Sequence, residues 1–196
     1  MTLNTTTRSF LEQLRSDTHE SHNQLESLPV SVSLTQPTLT MAAYAHYLRL
    51  MRAVIFETET RIFPMLAHVV PNMATRHKLH LIDSDLAAIQ AEQRDFPTVF
   101  DLDGATIGFV LGIMYTVEGS TMGGRYIGKN VESALGLTGE NGARFFWGYG
   151  HQTGAYWKEF LGVLEQSASV HGPDDIIRGA KHAFDAIHTH FSTQES

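Results

Sequence analysis

Apolar positions recur along this chain at the three- and four-residue spacing of helices, and the strict alternation that marks a half-buried strand is nearly absent. From about Thr7 to Leu28 the apolar residues Phe10, Leu11, Leu14 and Leu25 keep helical spacing, and Pro29 closes the segment. A second helix is expected from Thr40, a capping residue, to Phe63, with Pro64 as its stop. Shorter helical pieces follow around Met65–Val70, Met73–Ile82 and Ser84–Glu92, and the longest candidate spans Gly104–Leu137. Gly139, Glu140, Asn141 and Gly142 make a turn, after which Ala143–Tyr149, Thr153–Ser167 and Asp174–Ser192 read as further helices. With no repeat, linker or low-complexity tract, the pattern predicts one all-α domain over residues 1–196.

The longest helix contains an anomaly. The stretch VEGSTMGGRYIG, Val117 to Gly128, holds four glycines, each costing about 0.5–1 kcal/mol relative to alanine inside a helix. Gly108, Gly112, Gly119 and Gly123 are spaced by four, seven and four residues, so they fall on one side, with Gly124 and Gly128 as a flanking line. Two explanations fit: close packing of another helix, or a broad flat ligand lying on bare backbone with the helix kinked around it.

The first helix offers a matching wall. Leu11, Leu14, Thr18, His22 and Leu25 form a narrow stripe, with Arg15 and Glu26 on its shoulder. An inward histidine is either a hydrogen-bonded core residue or a ligand. Two neighbours favour the ligand: Glu26, one turn on, can orient an imidazole through its second nitrogen, and Arg15, two turns back, suits an acidic ligand edge. His19 is the rival, farther round toward the polar side.

Composition narrows the chemistry. The 196 residues are 42% hydrophobic, enough for a real core, and 21 acidic against 14 basic residues give a net charge of -7, a poor match to nucleic acid. There is no cysteine, which excludes disulfides, zinc–thiolate and iron–sulfur sites, a cysteine nucleophile and thioether-attached heme. No stretch approaches the apolar length of a signal peptide core or a membrane span, so a cytoplasmic protein with no membrane partner is expected.

Three runs carry a family resemblance. LRSDTHESHNQLE, Leu14 to Glu26, resembles the proximal-helix motif of heme oxygenases, in which a threonine stands four residues before the iron-ligating histidine. YTVEGSTMGG, Tyr115 to Gly124, looks like the distal helix of the bacterial branch, and RFFWGYGHQTGAYWKEF, Arg144 to Phe160, is similar to the following region in heme oxygenases that accompany bacterial phytochromes. The resemblance covers essentially the whole chain in the right order.

It implies an all-α fold with heme b sandwiched between the first helix and the kinked glycine-rich one, and opening of the porphyrin to biliverdin with release of carbon monoxide and ferrous iron. Dioxygen and electrons from an external donor, a ferredoxin or flavin reductase, would be required; the α isomer is favoured, and a bacterial phytochrome is a candidate recipient. His22 would be the iron ligand and Glu26 its orienting carboxylate. Gly119, Gly123 and Gly124 would let backbone lie over the porphyrin, and Ser120, which replaces the aspartate of mammalian-type members, would be at most an accessory to the proton route. Arg15 and Tyr115 match positions that grip the heme propionates, and Lys158, Arg178 and Lys181 are candidates for the same basic rim. Lys129 could serve the donor's docking surface. A thiaminase-type enzyme lacks its cysteine here, and a ferritin-like di-iron protein lacks its Glu-x-x-His pairs. A non-catalytic heme carrier or sensor on the same fold is the alternative, and a monomer is preferred.

Overall fold

The computed structural model describes residues 9–193. Among these it is helical with no β-strand; the one extended feature is a pair of bridges within the turn at Thr138 to Gly142. The helices are α1 (Phe10–Glu26), α2 (Pro29–Ser33), α3 (Met41–Glu57), α4 (Phe63–Leu66), α5 (Leu79–Ala88), α6 (Ile107–Leu135), α7 (Thr153–His171) and α8 (Pro173–Thr193). No helix among the described residues is long and apolar enough to cross a membrane.

Local chemistry sets the ends. Ser9 and Glu12 form a reciprocal capping box at the start of α1, and the hydroxyls of Thr40 and Thr106 accept from Ala43 N–H and Phe109 N–H to open α3 and α6. Gly136, at φ +70°, closes α6 with its N–H on Glu132 C=O. The expected start of the first helix at Thr7 lies outside the described residues.

Several boundaries differ from the sequence pattern. Pro29 and Pro64 do not end helices but sit in the first turns of α2 and α4, where a missing N–H costs nothing. Between α3 and α4 the chain widens into a π-turn at Thr58–Ile62, so the direction changes without a break. The expected break near Asp83 does not occur, because α5 runs through it. Arg144–Trp147 is a 3₁₀ turn held by Asp85, whose buried carboxylate accepts from Arg144 N–H and Phe145 N–H at 2.8 Å each. α6 runs unbroken through its glycines.

The core is built around α6, which buries Val110, Leu111, Ile113, Met114 and Val117 and packs most extensively on α8. The approach is close at one crossing. A Cβ on Gly112 would stand 2.0 Å from Ile176 C=O, and one on Gly179 would stand 1.9 Å from Phe109 C=O. α1 in turn packs chiefly on α8, so α8 carries both α1 and α6.

Candidate functional site

The sense in which α1 and α6 cross α8 brings the candidate residues level. Along α6, Gly108 meets Asp175, Gly112 meets Ile176 and Ala180, and Thr116 donates to Ala180 C=O at 3.3 Å. Along α1, Asp17 shares a groove with Ile177 and Lys181, and the His22 ring meets Phe184 edge-on at 5.6 Å. Both helices therefore pass α8 in the same direction. They come together where the Tyr115 phenol neighbours the Thr18 side chain, whose own hydroxyl donates to Leu14 C=O at 2.8 Å. His22 lies one turn beyond Thr18 and Gly119 one turn beyond Tyr115, so histidine and glycine face a common level.

Space around the glycines divides the two explanations for them. Gly108 and Gly112 abut α8, while Gly128 abuts Phe146 and Trp147: these serve packing. Gly124 must be corrected on the same ground, since a Cβ there would stand 2.6 Å from Phe146 C=O, so the need for glycine comes from the chain behind α6 rather than from a ligand. Gly123 has nothing within 4 Å of the Cβ direction, and Gly119 has only the edge of Trp157, at 3.5 Å. At about 100° per residue the two share one face, which packing leaves bare.

The first-helix wall has a sharp profile. Leu14 and Thr18 are buried, whereas the His22 side chain is 50% exposed, with the Glu26 carboxylate 3.4 Å from Nε2. Glu26 thus engages one ring nitrogen and leaves the second for a ligand. His19 is exposed and bonded to Asn23 at 3.2 Å. Arg15 lies close enough to act on the Tyr115 hydroxyl. Burial raises the Tyr115 pKa more than Thr18 and Arg15 lower it, so the phenol stays protonated and remains a donor.

Other expected residues fall elsewhere. Ser120 is exposed and donates to Val117 C=O at 2.7 Å, a bond within its own helix. Lys158 is exposed on α7, one residue beyond Trp157. Arg178 lies about 120° round α8 from Phe184, pairs with Asp175 and covers the Phe109 ring at 5.2 Å. It lines the groove of about 540 Å³ with Asp17 and Lys181, on the other flank of α1 from His22. Among the described residues no cluster of three or more His, Asp or Glu side chains could hold a metal ion.

Sequence reasoning missed Trp157 and Phe184. Trp157 packs on Tyr115, with ring centroids 5.6 Å apart and planes tilted by 36°, and borders Gly119; Phe184 meets the His22 ring edge-on. The only signal for Trp157 was its place in the aromatic run after the turn.

The fold and site define an all-α protein with a bare helix face level with a half-exposed histidine. The profile of the heme oxygenase family matches residues 8–193, and this chain belongs to that family. Its structure is similar to the NO- and CO-bound heme oxygenase of Neisseria meningitidis, at 22% identity over 94% of this chain and 92% of that one, with a TM-score of 0.77. It is also similar to heme oxygenase from Leptospira interrogans, at 16% identity, TM-score 0.75, covering 95% and 100% of the two chains. The heme complex of heme oxygenase-1 from the cyanobacterium Synechocystis matches at 15% identity, TM-score 0.74, with 96% and 93% covered. Comparison with curated proteins gives no match.

Proposed function

We propose that this chain cleaves heme to biliverdin, carbon monoxide and ferrous iron, using dioxygen and electrons from an external reductant. The observation that carries the reading is the bare face at Gly119 and Gly123, level with a histidine whose carboxylate partner is already in place. The residues present fit the substrate: a Cβ would fill the face at Gly123, and no buried side chain competes for it.

Heme, when bound, supplies the redox chemistry of its own opening, and the protein supplies ligation, orientation and space. His22 would ligate the iron as a neutral imidazole, with Glu26 holding its other nitrogen and fixing the ring. Gly119 and Gly123 would admit backbone against the distal side, leaving room for dioxygen. Trp157 would close one end of that face. Arg15, with a charge-assisted hydrogen bond, and the protonated Tyr115 phenol would anchor the propionate edge and so select the meso carbon, giving the α isomer. Lys158, Arg178 and Lys181 are the further basic candidates for the rim. Ser120, with its hydrogen on Val117 C=O, contributes an acceptor to a water chain.

The reading extends to a ferredoxin or flavin reductase as donor, with exposed Lys129 near its docking surface, and to a bacterial phytochrome as recipient in the cytoplasm. The latter is supported by the likeness of Arg144 to Phe160 to phytochrome-associated members. Anaerobic loading with heme, followed by reductant and air, tests the central claim. Growth of the biliverdin absorption band with loss of the Soret band is expected; a stable, reducible heme complex would show a carrier or sensor instead.

A further inference from the structure

Behind the bare face lies a buried ionic network that the heme site does not use. Glu118, next to Gly119 and 3% exposed, accepts from Arg76 at 2.7 Å on one oxygen, and from Tyr149 at 2.6 Å and Lys78 at 3.2 Å on the other. Lys78 also donates to Thr121 at 2.7 Å, and Arg76 reaches Glu159 of α7 at 2.8 Å. Arg76 and Lys78 are 0% and 2% exposed, and with Glu118 and Glu159 the network is charge-balanced. Burial would push the Glu118 pKa up, but Lys78, Tyr149 and Arg76 together hold it below the usual carboxylate range.

Such a network is a poor way to gain stability. Each buried ion carries a desolvation penalty of several kcal/mol, and apolar replacements of such groups are often neutral or better. What the geometry provides is register. Counting about 100° per residue, Glu118 and Thr121 lie roughly across α6 from the Gly119 and Gly123 face. They are gripped by the segment before α5 and by Tyr149, while α7, tied in through Glu159, carries the Trp157 that borders Gly119. A helix that slid or rotated would break all of these bonds at once.

We propose that Glu118 and Lys78 are positioning residues that fix the height and rotation of α6, so that Gly119 and Gly123 meet the ligand level with His22. The inference rests on the heme reading for its purpose, but not for its test.

The test uses the charge-balanced double variant Lys78→Met/Glu118→Gln. It leaves the Arg76–Glu159 pair intact, lets the new amide accept from Arg76 and donate to Tyr149, and removes the tie to Thr121. Thermal unfolding within about 3 °C of the parent is expected. In heme-free protein, the amides of residues 119–124 should exchange at least tenfold faster, with those of α3 unchanged. The heme-loaded variant should give a mixture of biliverdin isomers. Unchanged exchange at residues 119–124, or acceleration spread equally over α3, would overturn the proposal. Failure of the parent protein itself to make biliverdin would sink the heme reading while leaving the exchange result decisive for α6.

Discussion

The two kinds of glycine in α6 should respond in opposite ways to the same methyl group. At Gly123 nothing lies within 4 Å of the added carbon, so Gly123→Ala recovers the helix propensity that glycine forgoes, about 0.5–1 kcal/mol. For a chain of this size that raises the melting temperature of the heme-free protein by about 1–4 °C. At Gly112 the added carbon would stand 2.0 Å from Ile176 C=O and 2.5 Å from Ala180 N, backbone atoms that cannot swing away. Gly112→Ala should therefore cost about 1–3 kcal/mol as α6 and α8 are forced apart. Heme affinity should separate them again. The Gly123 methyl occupies the face proposed for the porphyrin, and a clash of about 1–3 kcal/mol weakens binding by about 5–150-fold. Circular dichroism melts of both heme-free variants, with heme titrations followed at the Soret band, measure all four quantities. A Gly123→Ala protein less stable than the parent, or equally stable with undiminished heme binding, would refute the assignment of that face to a ligand.

Other outcomes follow from the same geometry. His22→Ala should abolish histidine ligation and turnover while His19→Ala keeps both; resonance Raman and absorption spectra of the ferric complexes decide, and an unchanged spectrum for His22→Ala would reverse the ligand assignment. Arg15→Ala combined with Tyr115→Phe should retain heme yet give mixed biliverdin isomers or slower turnover, read by chromatography; one unchanged isomer at the parental rate would mean the propionates are held elsewhere. Buried His190 donates to Leu50 C=O at 3.2 Å, and burial keeps its pKa below the ordinary histidine range despite Leu50 and Glu57, with His46 adding to the depression. The unfolded chain then takes up the proton first, so this contribution to stability is complete above about pH 6.5 and lost as pH falls below it. Melts from pH 8 to 5 should show that loss in the parent and a flatter profile in His190→Gln.

The helices were legible wherever an amphipathic stripe ran long, as in α1, α6 and α8, because burial of one face enforces the period. Their ends were less so. Pro64 reads as a stop, but its ring fits equally well in a first turn, and a proline cannot announce which. Ala143–Tyr149 tightened to a 3₁₀ turn because Asp85, almost sixty residues away in sequence, caps it. At the site, helical spacing set Arg15, His22 and Glu26 along one side of α1, whereas Tyr115, on another helix, was named only through the family resemblance. The glycine stripe showed a face without showing what opposes it, so Gly112 and Gly123 looked alike until α8 was seen against one and open space against the other. The pairing of Arg178 with Asp175 was not legible, because charge type alone says nothing about which side of α8 a residue leaves from. Arg76 and Lys78 were invisible for a related reason: a cation in a polar loop reads as solvated, and only the folded chain shows Glu118 waiting for it.

One feature of the scaffold bears on what the site could admit. α1 and α6 both rest on α8, which approaches α6 closely at Gly112 and Gly179 and buries the small side chains of Ala180 and Ala183. The aperture between histidine and bare backbone is therefore gauged from behind, by the helix on which both walls rest. Enlarging one of those alanines would splay the two walls by a fraction of a side chain while leaving every ligating group in place. The range of tetrapyrroles accepted, from flat to ruffled or bulkier-rimmed, could thus drift independently of the machinery that opens them.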